Sequence, residues 1–368
     1  MKFRCNRSVL SSAFQIVSGV VPSRTSKEVL HNIKLHLADG QATLIGSDHE
    51  IGMRVILSDV ETESNGEILL PAQRTMAILR ELTDDTVEIE VNSELIMIRA
   101  GQSLFEMGAA DPATFPPVPE FSGDTYHSIQ SRILKQMIRR TVFATDLESS
   151  RFALGGVLWE FNDDRLTLAA TDSRRLAVVH AEAHLTGEPT DQNAQPVIPS
   201  KAMSLLERCL GDDEEDVMVA IHMNDAIIKT GSTTLSCRLV DGRFPDYRKA
   251  IPANPAHQID LVTGPFYSAV RQSLIVPSEE SRGVTFEFSD GDLTLKSRSE
   301  KGVSEIQLPI SYSGDTVMTI FDSKFVADFL RVLEPESNVS IELTDGDSPV
   351  ALRADQNYLY IIMPLAGG

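Results

Sequence analysis

The chain has 368 residues, of which 42% are hydrophobic and 23% are charged, and this is enough for two or three domains that each bury a core. The sequence contains no run of about 18 apolar residues, and its first residues lack the apolar segment of a signal peptide, so we expect a cytoplasmic protein with no membrane span. The net charge of −20 argues against a protein that grips nucleic acid, unless the positive charge is concentrated in one region.

Three cysteines, Cys5, Cys209 and Cys237, are far apart in the sequence and odd in number. No CxxC pair and no flanking histidine cluster accompanies them, so they do not have the spacing of a metal site. We expect reduced and mostly buried thiols, since a free cysteine usually behaves as a small hydrophobic residue. The sequence predicts neither a metal nor a cofactor.

One succession of strands and helices occurs three times, with a period of roughly 125 residues. Each copy opens with a short strand that runs into an amphipathic helix, and the three segments are KFRCNRSVLSSAFQIV from Lys2, YHSIQSRILKQMIRRTVF from Tyr126 and HQIDLVTGPFYSAVRQSLIV from His257. An alternating hairpin follows, with its tight turn at Asp39-Gly40, Asp163-Asp164 and Asp290-Gly291. A second strand and helix come next, where Ser200 and Asp322 are expected to cap the helix, and further strands close each copy.

Two proline-rich segments, 109–123 and 241–255, separate the copies. They predict three similar domains, at 1–122, 123–254 and 255–368. Each domain should contain about two helices and eight mostly antiparallel strands, so the fold class is α+β. Two arrangements are open: three tandem domains joined loosely, or a continuous rigid arc, which the short joints favour.

Positive charge is concentrated on the predicted helices, while the acidic residues lie on strands and turns. The helix predicted from Ser131 to Phe143 contains no acid and carries four basic residues, Arg132, Lys135, Arg139 and Arg140. Exposed helix charges can simply be a solvated face, but a bias across six helices favours a surface that meets phosphates without reading sequence. No helix-turn-helix, zinc-finger or RNA-binding motif is present.

Several segments resemble one known family and together span the whole chain. They are TDSRRLAV at 171–178, which is similar to the family's TDGHRLAV, LVDGRFPDYRK at 239–249, RGV at 282–284 and YIIMPL at 360–365. By these segments the chain resembles the bacterial DNA sliding clamp, the β subunit of DNA polymerase III. The resemblance implies a head-to-tail dimeric ring that encircles double-stranded DNA without sequence specificity and confers processivity. It also implies three kinds of protein partner: the polymerase III catalytic subunit, the clamp loader and other clamp-motif proteins.

The resemblance implies an apolar pocket between the second and third domains, into which partner proteins insert a short peptide. The matching positions are Leu154, Thr171, Ser173, Arg174, Arg175, Leu176, Pro245, Lys249, Met363, Pro364 and Leu365. The leucines and Met363 are suited to an apolar anchor, and Arg174 and Arg175 are expected to donate to peptide oxygens. Ser173-Arg174 replaces the family's Gly-His, which changes the pocket rim.

DNA contacts are implied at basic helix positions and at two loops. The expected residues are Arg24, Arg74, Arg80, Lys135, Arg139, Arg140, Arg151, Phe152 and Lys201. Arg151-Phe152-Ala153 stands where the family often has tyrosines, and Glu148 is an acid where a neutral side chain is common, so we expect a weaker contact there. At the ring seam, the resemblance places Phe105 and Met107 of the first domain opposite Ile275 and Val276 of the third.

The sequence carries no convincing catalytic motif. Asp48-His49-Glu50 could form a metal or acid–base cluster, but a polar turn is the better interpretation because no ligand spacing accompanies it. Asp172 is expected to pair with Arg175 and shape the pocket loop. P-loop, GxSxG and GxGxxG motifs are absent, and the resemblance implies a non-catalytic protein. Two alternatives stay open at this point: a scaffold ring that never meets DNA, and a hydrolase that uses Asp48 and His49.

Overall fold

The computed structural model describes residues 1–92, 95–146, 148, 153–162, 164–188, 195–278 and 282–365. The first third of the chain contains β1 (Lys2–Asn6), α1 (Arg7–Ser18), β2 (Asn32–Ala38), β3 (Gln41–Ser47), β4 (Ile51–Leu57), β5 (Glu61–Ser64), β6 (Gly66–Pro71), α2 (Ala72–Glu81), β7 (Thr86–Val91), β8 (Leu95–Ala100) and β9 (Ser103–Gly108). The middle third contains β10 (Tyr126–Gln130), α3 (Ser131–Thr141), β11 (Gly156–Asn162), β12 (Arg165–Thr171), β13 (Arg175–Glu182), β14 (His184–Thr186), β15 (Val197–Pro199), α4 (Ser200–Cys209), β16 (Asp216–Ile221), β17 (Asp225–Thr230) and β18 (Thr233–Arg238). The last third contains β19 (His257–Val262), α5 (Thr263–Ser273), β20 (Gly283–Ser289), β21 (Asp292–Ser299), β22 (Gly302–Pro309), β23 (Val317–Asp322), α6 (Ser323–Leu330), β24 (Asn338–Leu343), β25 (Val350–Ala354) and β26 (Tyr358–Ile362).

The threefold succession predicted from the sequence is confirmed, with two α-helices in each third of the described chain. The hairpins form where the sequence places tight turns. Asp39 (φ 52°) and Gly40 (φ 76°) both adopt the left-handed backbone that a two-residue hairpin turn requires, and the register across the turn pairs Ala38 with Gln41. The turn at Asp163 lies outside the described residues.

The chain divides into two compact units, and the boundary between them runs through the middle third. The first unit consists of Met1–Lys135, His184–Asp191 and Lys201–Leu239. It contains a five-stranded sheet, in the order β5-β1-β7-β8-β9, and a nine-stranded sheet, in the order β14-β10-β16-β17-β18-β4-β3-β2-β6. In the larger sheet β18 of the middle third pairs antiparallel with β4 of the first third.

The second unit consists of Gln136–Ala183, Gln192–Ser200 and Val240–Gly368. Its eight-stranded sheet has the order β15-β11-β12-β13-β26-β25-β24-β19, and its four-stranded sheet has the order β22-β21-β20-β23. Here β13 of the middle third pairs antiparallel with β26 of the last third. Within each unit a hydrogen-bonded sheet therefore continues from one third of the chain into the next, so the alternative of loosely joined domains is wrong.

The helix starts show which caps the sequence identifies correctly. The Asp322 carboxylate accepts a hydrogen bond from the backbone N–H of Lys324 and caps α6 as expected. Ser200 is not a cap, because it is the first residue of α4 and its hydroxyl donates to the Gly155 carbonyl at 3.0 Å. Asn6, which the sequence pattern did not single out, caps α1 by accepting from the N–H groups of Ser8 and Val9.

The three thiols are free, and burial explains their chemistry. Cys5 and Cys237 are buried and Cys209 is half-buried, as the sequence predicted. Burial raises the pKa of Cys5 to about 12 and that of Cys209 to about 11. Burial also raises the pKa of Cys237, to about 12.

In the part of the chain that the structure describes, no helix is long and apolar enough to cross a membrane.

Candidate functional site

The expected pocket residues lie in the second unit, around the place where β13 pairs with β26. Leu176 on β13 is opposite Ile361 on β26, and the loop between β12 and β13 stands directly before Leu176. The Thr171 hydroxyl donates to the Arg175 carbonyl at 2.7 Å and accepts from the Ser173 N–H at 3.1 Å. These bonds hold Ser173 at φ 71°, a left-handed conformation that is uncommon outside glycine. Ser173 therefore adopts a backbone conformation that glycine reaches more readily than other residues.

The C-terminal segment Met363–Leu365 is fixed against this loop by its backbone. The Met363 N–H donates to the Arg174 carbonyl at 2.8 Å, and the Leu365 N–H donates to the Ile320 carbonyl at 2.8 Å. The Met363 side chain is 42% exposed, while Pro364 and Leu365 are half-buried. A flexible thioether and a leucine are thus held at the surface by bonds that do not involve their side chains, which leaves both free to contact an apolar partner.

The floor beneath these residues is apolar and closed. Leu154, Thr171 and Leu176 are all buried. Leu176 belongs to one core cluster with Phe244 and Tyr247, which flank the half-buried Pro245. The structure therefore brings Pro245 to the same region as the β12–β13 loop, and exposed Lys249, which pairs with Asp246 at 3.2 Å, stands at the end of this segment.

The guanidinium of Arg175 is already used inside the fold. Nε donates to Asp172 at 2.9 Å, Nη1 donates to Asp328 at 2.8 Å and Nη2 donates to the Phe143 carbonyl at 2.7 Å. The guanidinium also lies 4.4 Å from the centre of the Phe325 ring. The expected Asp172–Arg175 pair is confirmed, and all three guanidinium nitrogens of Arg175 already donate to acceptors inside the fold.

The pKa of Arg175 reflects the same contacts. Burial alone would lower that pKa, but Tyr360, Asp328 and Asp172 outweigh burial and raise it. Arg175 therefore stays charged and ties the pocket loop to α6, where Asp328 lies. The neighbouring Arg174 is exposed, so it is the arginine of this pair that faces solvent.

Glu160 is a buried residue of this region that the sequence pattern did not reveal. Its carboxylate, on β11, accepts from the Tyr247 hydroxyl at 2.6 Å and from Arg248 at 2.8 Å. Burial and Glu160 together raise the pKa of Tyr247. These bonds fix the segment LVDGRFPDYRK to the sheet. The available signal was an acid inside the apolar strand GVLWEFN, next to the buried Trp159.

In the first unit, Arg24, Arg74, Arg80 and Lys201 are all exposed, as a phosphate-contacting surface requires. Arg80 lies 3.7 Å from Glu81, and Lys201 lies 2.5 Å from Asp48. Lys135 differs from these residues, since its side chain is 16% exposed and its ammonium is 2.8 Å from Asp212.

In the second unit, Arg139 is exposed but Arg140 is buried. The Arg140 guanidinium pairs with Asp355 at 2.8 Å and lies 4.9 Å from the centre of the Tyr358 ring. The Tyr358 hydroxyl donates to the Arg140 carbonyl at 2.7 Å. This geometry corrects the expectation that Arg140 contacts DNA, because its charge is already compensated inside the fold. Arg151 and Phe152 lie outside the described residues.

The expected seam residues are divided between the two units. In the first unit, Phe105 is 36% exposed on β9, which is the edge strand of its sheet, whereas Met107 is 8% exposed and belongs to the core cluster. In the second unit, Ile275 is 77% exposed, while Val276 is half-buried. Met107 is thus a core residue and not a free surface anchor, which corrects the expectation for this position.

The Asp48-His49-Glu50 segment is a polar turn between β3 and β4. The Asp48 carboxylate accepts from the N–H groups of Glu50 and Ile51 at 3.0 and 2.7 Å. Among the residues that the structure describes, no group of three or more metal-ligating side chains comes together. The turn interpretation agrees with this geometry.

Three similar α+β domains with sheets that continue from one third of the chain into the next define a processivity-clamp type of protein. Family models described as "DNA polymerase III beta subunit" match at residues 1–119 for the N-terminal domain, 128–246 for the central domain and 248–366 for the C-terminal domain. The "Beta sliding clamp" of Pseudomonas aeruginosa is 30% identical over 371 residues, which cover 99% of this chain and 100% of that protein.

Solved structures agree with the sequence comparison. The DNA polymerase sliding clamp of Bacillus subtilis has a TM-score of 0.93 and 28% identity, with all of both chains covered. The DNA polymerase III subunit beta of Pseudomonas aeruginosa has a TM-score of 0.91 and 29% identity, with 99% of this chain and 100% of that chain covered. The chain belongs to the DNA polymerase III β subunit family, the β sliding clamps. Its function is that of a DNA sliding clamp, a non-enzymatic accessory factor of DNA polymerase.

Proposed function

We propose that two copies of this chain join head to tail into a ring that encircles duplex DNA and slides along it without sequence specificity. The ring tethers the DNA polymerase III catalytic subunit, and the clamp loader and other clamp-motif proteins use the same docking pocket. Such a protein works in DNA replication, so we place it in the cytoplasm. We also propose domain limits of 1–122, 123–254 and 255–368, which the ranges of the three family models support.

The observation that carries the ring is the presence of two apolar sheet edges, one in each unit. Strand β9 is an edge strand with Leu104 and Phe105 exposed at 50% and 36%. Strand β22 is an edge strand with Val303 64% exposed, and Ile275 is 77% exposed beyond the end of α5. Open edge strands with apolar side chains tend to pair with another chain. Two different surfaces that meet twice under two-fold symmetry give a closed dimer.

The docking pocket consists of Leu154, Thr171, Leu176, Pro245 and the segment Met363–Leu365, with Ser173, Arg174 and Lys249 at its rim. A buried apolar floor beside an exposed thioether suits a leucine or phenylalanine anchor from a partner peptide. Arg174 supplies the donor at the rim, while Arg175 shapes the loop from beneath. The backbone hydrogen bonds of Met363 and Leu365 position the C-terminal segment, and this position supports the proposal of a pocket.

The proposed DNA-facing residues are Arg24, Arg74, Arg80, Lys135, Arg139 and Lys201. Phosphate contacts need positive charge without a fixed register, and they do not read sequence. A modest number of exposed basic side chains on a chain of net charge −20 suits sliding, because a larger positive surface would hold the duplex in place. Arg151 and Phe152 are proposed as a further loop contact from the resemblance alone.

Sedimentation of two single variants tests the ring seam. Ile275→Arg should convert the dimer into a monomer, since an unpaired charge in an apolar interface is costly to bury. Met223→Arg is the matched control, because Met223 is 92% exposed on the turn between β16 and β17, neither of which is an edge strand, and this variant should stay dimeric. An Ile275→Arg protein that sediments as a dimer at the wild-type dissociation constant would remove Ile275 from the seam.

A further inference from the structure

The turn between β3 and β4 holds His49 in a strained backbone conformation. His49 has φ 80°, in the left-handed region that non-glycine residues rarely adopt. Three hydrogen bonds fix this conformation: the Asp48 carboxylate accepts from the N–H groups of Glu50 and Ile51, and the Ser47 hydroxyl accepts from the His49 N–H at 3.0 Å. Backbone strain that the surrounding structure enforces often occurs at functional sites.

The His49 ring is held beside a lysine. Lys27 Nζ donates to His49 Nε2 at 2.9 Å, and both side chains belong to exposed residues. Among the described residues, the Lys27 ammonium has no carboxylate within ion-pair distance. An ammonium has three protons to donate, and His49 Nε2 accepts one of them. The remaining two are available to the oxygens of an anion.

The nearby acid does not neutralise this pair. Asp48 is 14% exposed at its side chain, and its carboxylate is shared between Lys201 Nζ, at 2.5 Å, and the two N–H groups of the turn. Lys201 thus reaches the turn from α4, and Arg24 stands three residues before Lys27 in the same loop. We call Arg24, Lys27, His49 and Lys201 the turn cluster, and all four lie in the first unit.

We propose that Lys27 and His49 form a phosphate contact on the DNA backbone, in addition to the contacts of Arg24 and Lys201. His49 Nε2 accepts one proton of the Lys27 ammonium and so orients it, and the ammonium donates another of its protons to a phosphate oxygen. Neither residue belongs to the set expected from the family resemblance. This inference rests on the proposed function, because it takes the encircled duplex as the source of the phosphate.

The test measures the affinity for a short duplex as the salt concentration rises, by fluorescence anisotropy, for Lys27→Gln, His49→Asn and the double variant. Asparagine is chosen because it tolerates the left-handed conformation of His49. Each lost phosphate contact should reduce the slope of log affinity against log salt by about 0.9. Lys27→Gln should therefore reduce the slope by about one contact and weaken binding several-fold at low salt.

Lys301→Gln is the matched control, since it makes the same charge change at an exposed turn of the second unit. If the salt slope and the DNA affinity of Lys27→Gln equal those of Lys301→Gln, the inference is overturned. The Lys27–His49 hydrogen bond then only stabilises the loop. Retention of the loaded wild-type protein on circular DNA is measured in parallel. Loss of that retention contradicts the ring function itself, whereas unchanged variants with intact retention contradict only the phosphate contact.

Discussion

The proposed docking pocket of the second unit and the proposed basic surface of the first unit are built in opposite ways. In the proposed pocket, Leu176 is buried, the Arg175 guanidinium donates to three acceptors, and the segment Met363–Leu365 is held by backbone hydrogen bonds. On the basic surface, Arg24 and Arg74 are exposed. From this difference we predict that peptide docking depends on shape, so that one substitution has a large effect. We predict that DNA contact depends on summed charge, so that single substitutions have small and additive effects.

The sharpest test of the fixed region compares two adjacent arginines. Arg175→Ala should lower the free energy of unfolding by about 3–5 kcal/mol, because it removes the cation of Asp172 and leaves Asp328 with only the more distant Arg331, at 3.5 Å, in a half-buried site. Arg174→Ala should change it by less than about 0.5 kcal/mol, since Arg174 is exposed. Urea denaturation measures both variants. Equal stabilities would mean that the Arg175 network contributes nothing to the pocket loop.

The next prediction concerns the pocket as a binding site. Leu176→Ala combined with deletion of residues 363–368 should abolish binding of a clamp-motif peptide, with a loss of at least about 2 kcal/mol, because it removes the floor and one wall together. The dimer should remain, since both changes are far in sequence from Phe105 and Ile275. Isothermal titration calorimetry measures the affinity, and Met363→Leu serves as the control that keeps an apolar wall.

Undiminished peptide binding by the double change would place the docking site elsewhere on the chain. Loss of the dimer together with peptide binding would show that the deletion disturbs the fold beyond the pocket.

Smaller effects are expected on the basic surface. Arg24→Ala with Arg74→Ala should reduce the slope of log DNA affinity against log salt by roughly 1.8, about 0.9 for each lost phosphate contact. The reduction should be the same for any DNA sequence, since phosphate contacts carry no sequence information. Arg140→Met is the internal contrast: it removes the partner of Asp355 and lowers stability, but it should leave the salt slope unchanged. A changed slope for Arg140→Met would restore Arg140 to the DNA-facing set.

The last prediction concerns the three thiols of the first unit. Because burial raises the pKa of Cys237 to about 12, its thiolate is scarce at neutral pH and begins to form only as the pH rises toward 12. Alkylation at pH 8 should be slower than in the unfolded chain by on the order of 1000-fold for Cys237 and Cys5, and by on the order of 100-fold for Cys209. Mass spectrometry of timed alkylation measures this. Rapid labelling of Cys237 would mean that this sheet opens readily.

The fold was predictable because its signals are local. Alternating strands, the Asp39-Gly40 turn and the Asp322 cap each act within a few residues, and three copies of the succession reinforce one another. The roles of Arg140 and Arg175 were not predictable in the same way. Their partners, Asp355 and Asp328, are 215 and 153 residues away in the sequence, so no local pattern shows that these charges are enclosed.

The candidate site was partly predictable for the same reason. The loop residues Thr171 to Leu176 are contiguous and come together as expected, and the C-terminal segment joins them through the pairing of β13 with β26. Phe105 and Met107 are two residues apart and therefore share one face of β9. The exposed fraction falls along this face from 36% at Phe105 to 8% at Met107, and their spacing in the sequence does not show this difference. The turn cluster escaped notice because Lys27 and His49 are unremarkable residues until the left-handed backbone of His49 brings them together.

The central claim, that this chain acts as a ring held on DNA by topology, is tested most directly on a nicked circular plasmid. The protein is loaded by its own clamp loader with ATP, and retention is measured before and after the circle is linearised. A ring that slides should stay on the circle and leave once free ends are present. Equal retention on circular and linear DNA would mean ordinary site binding and would contradict the account.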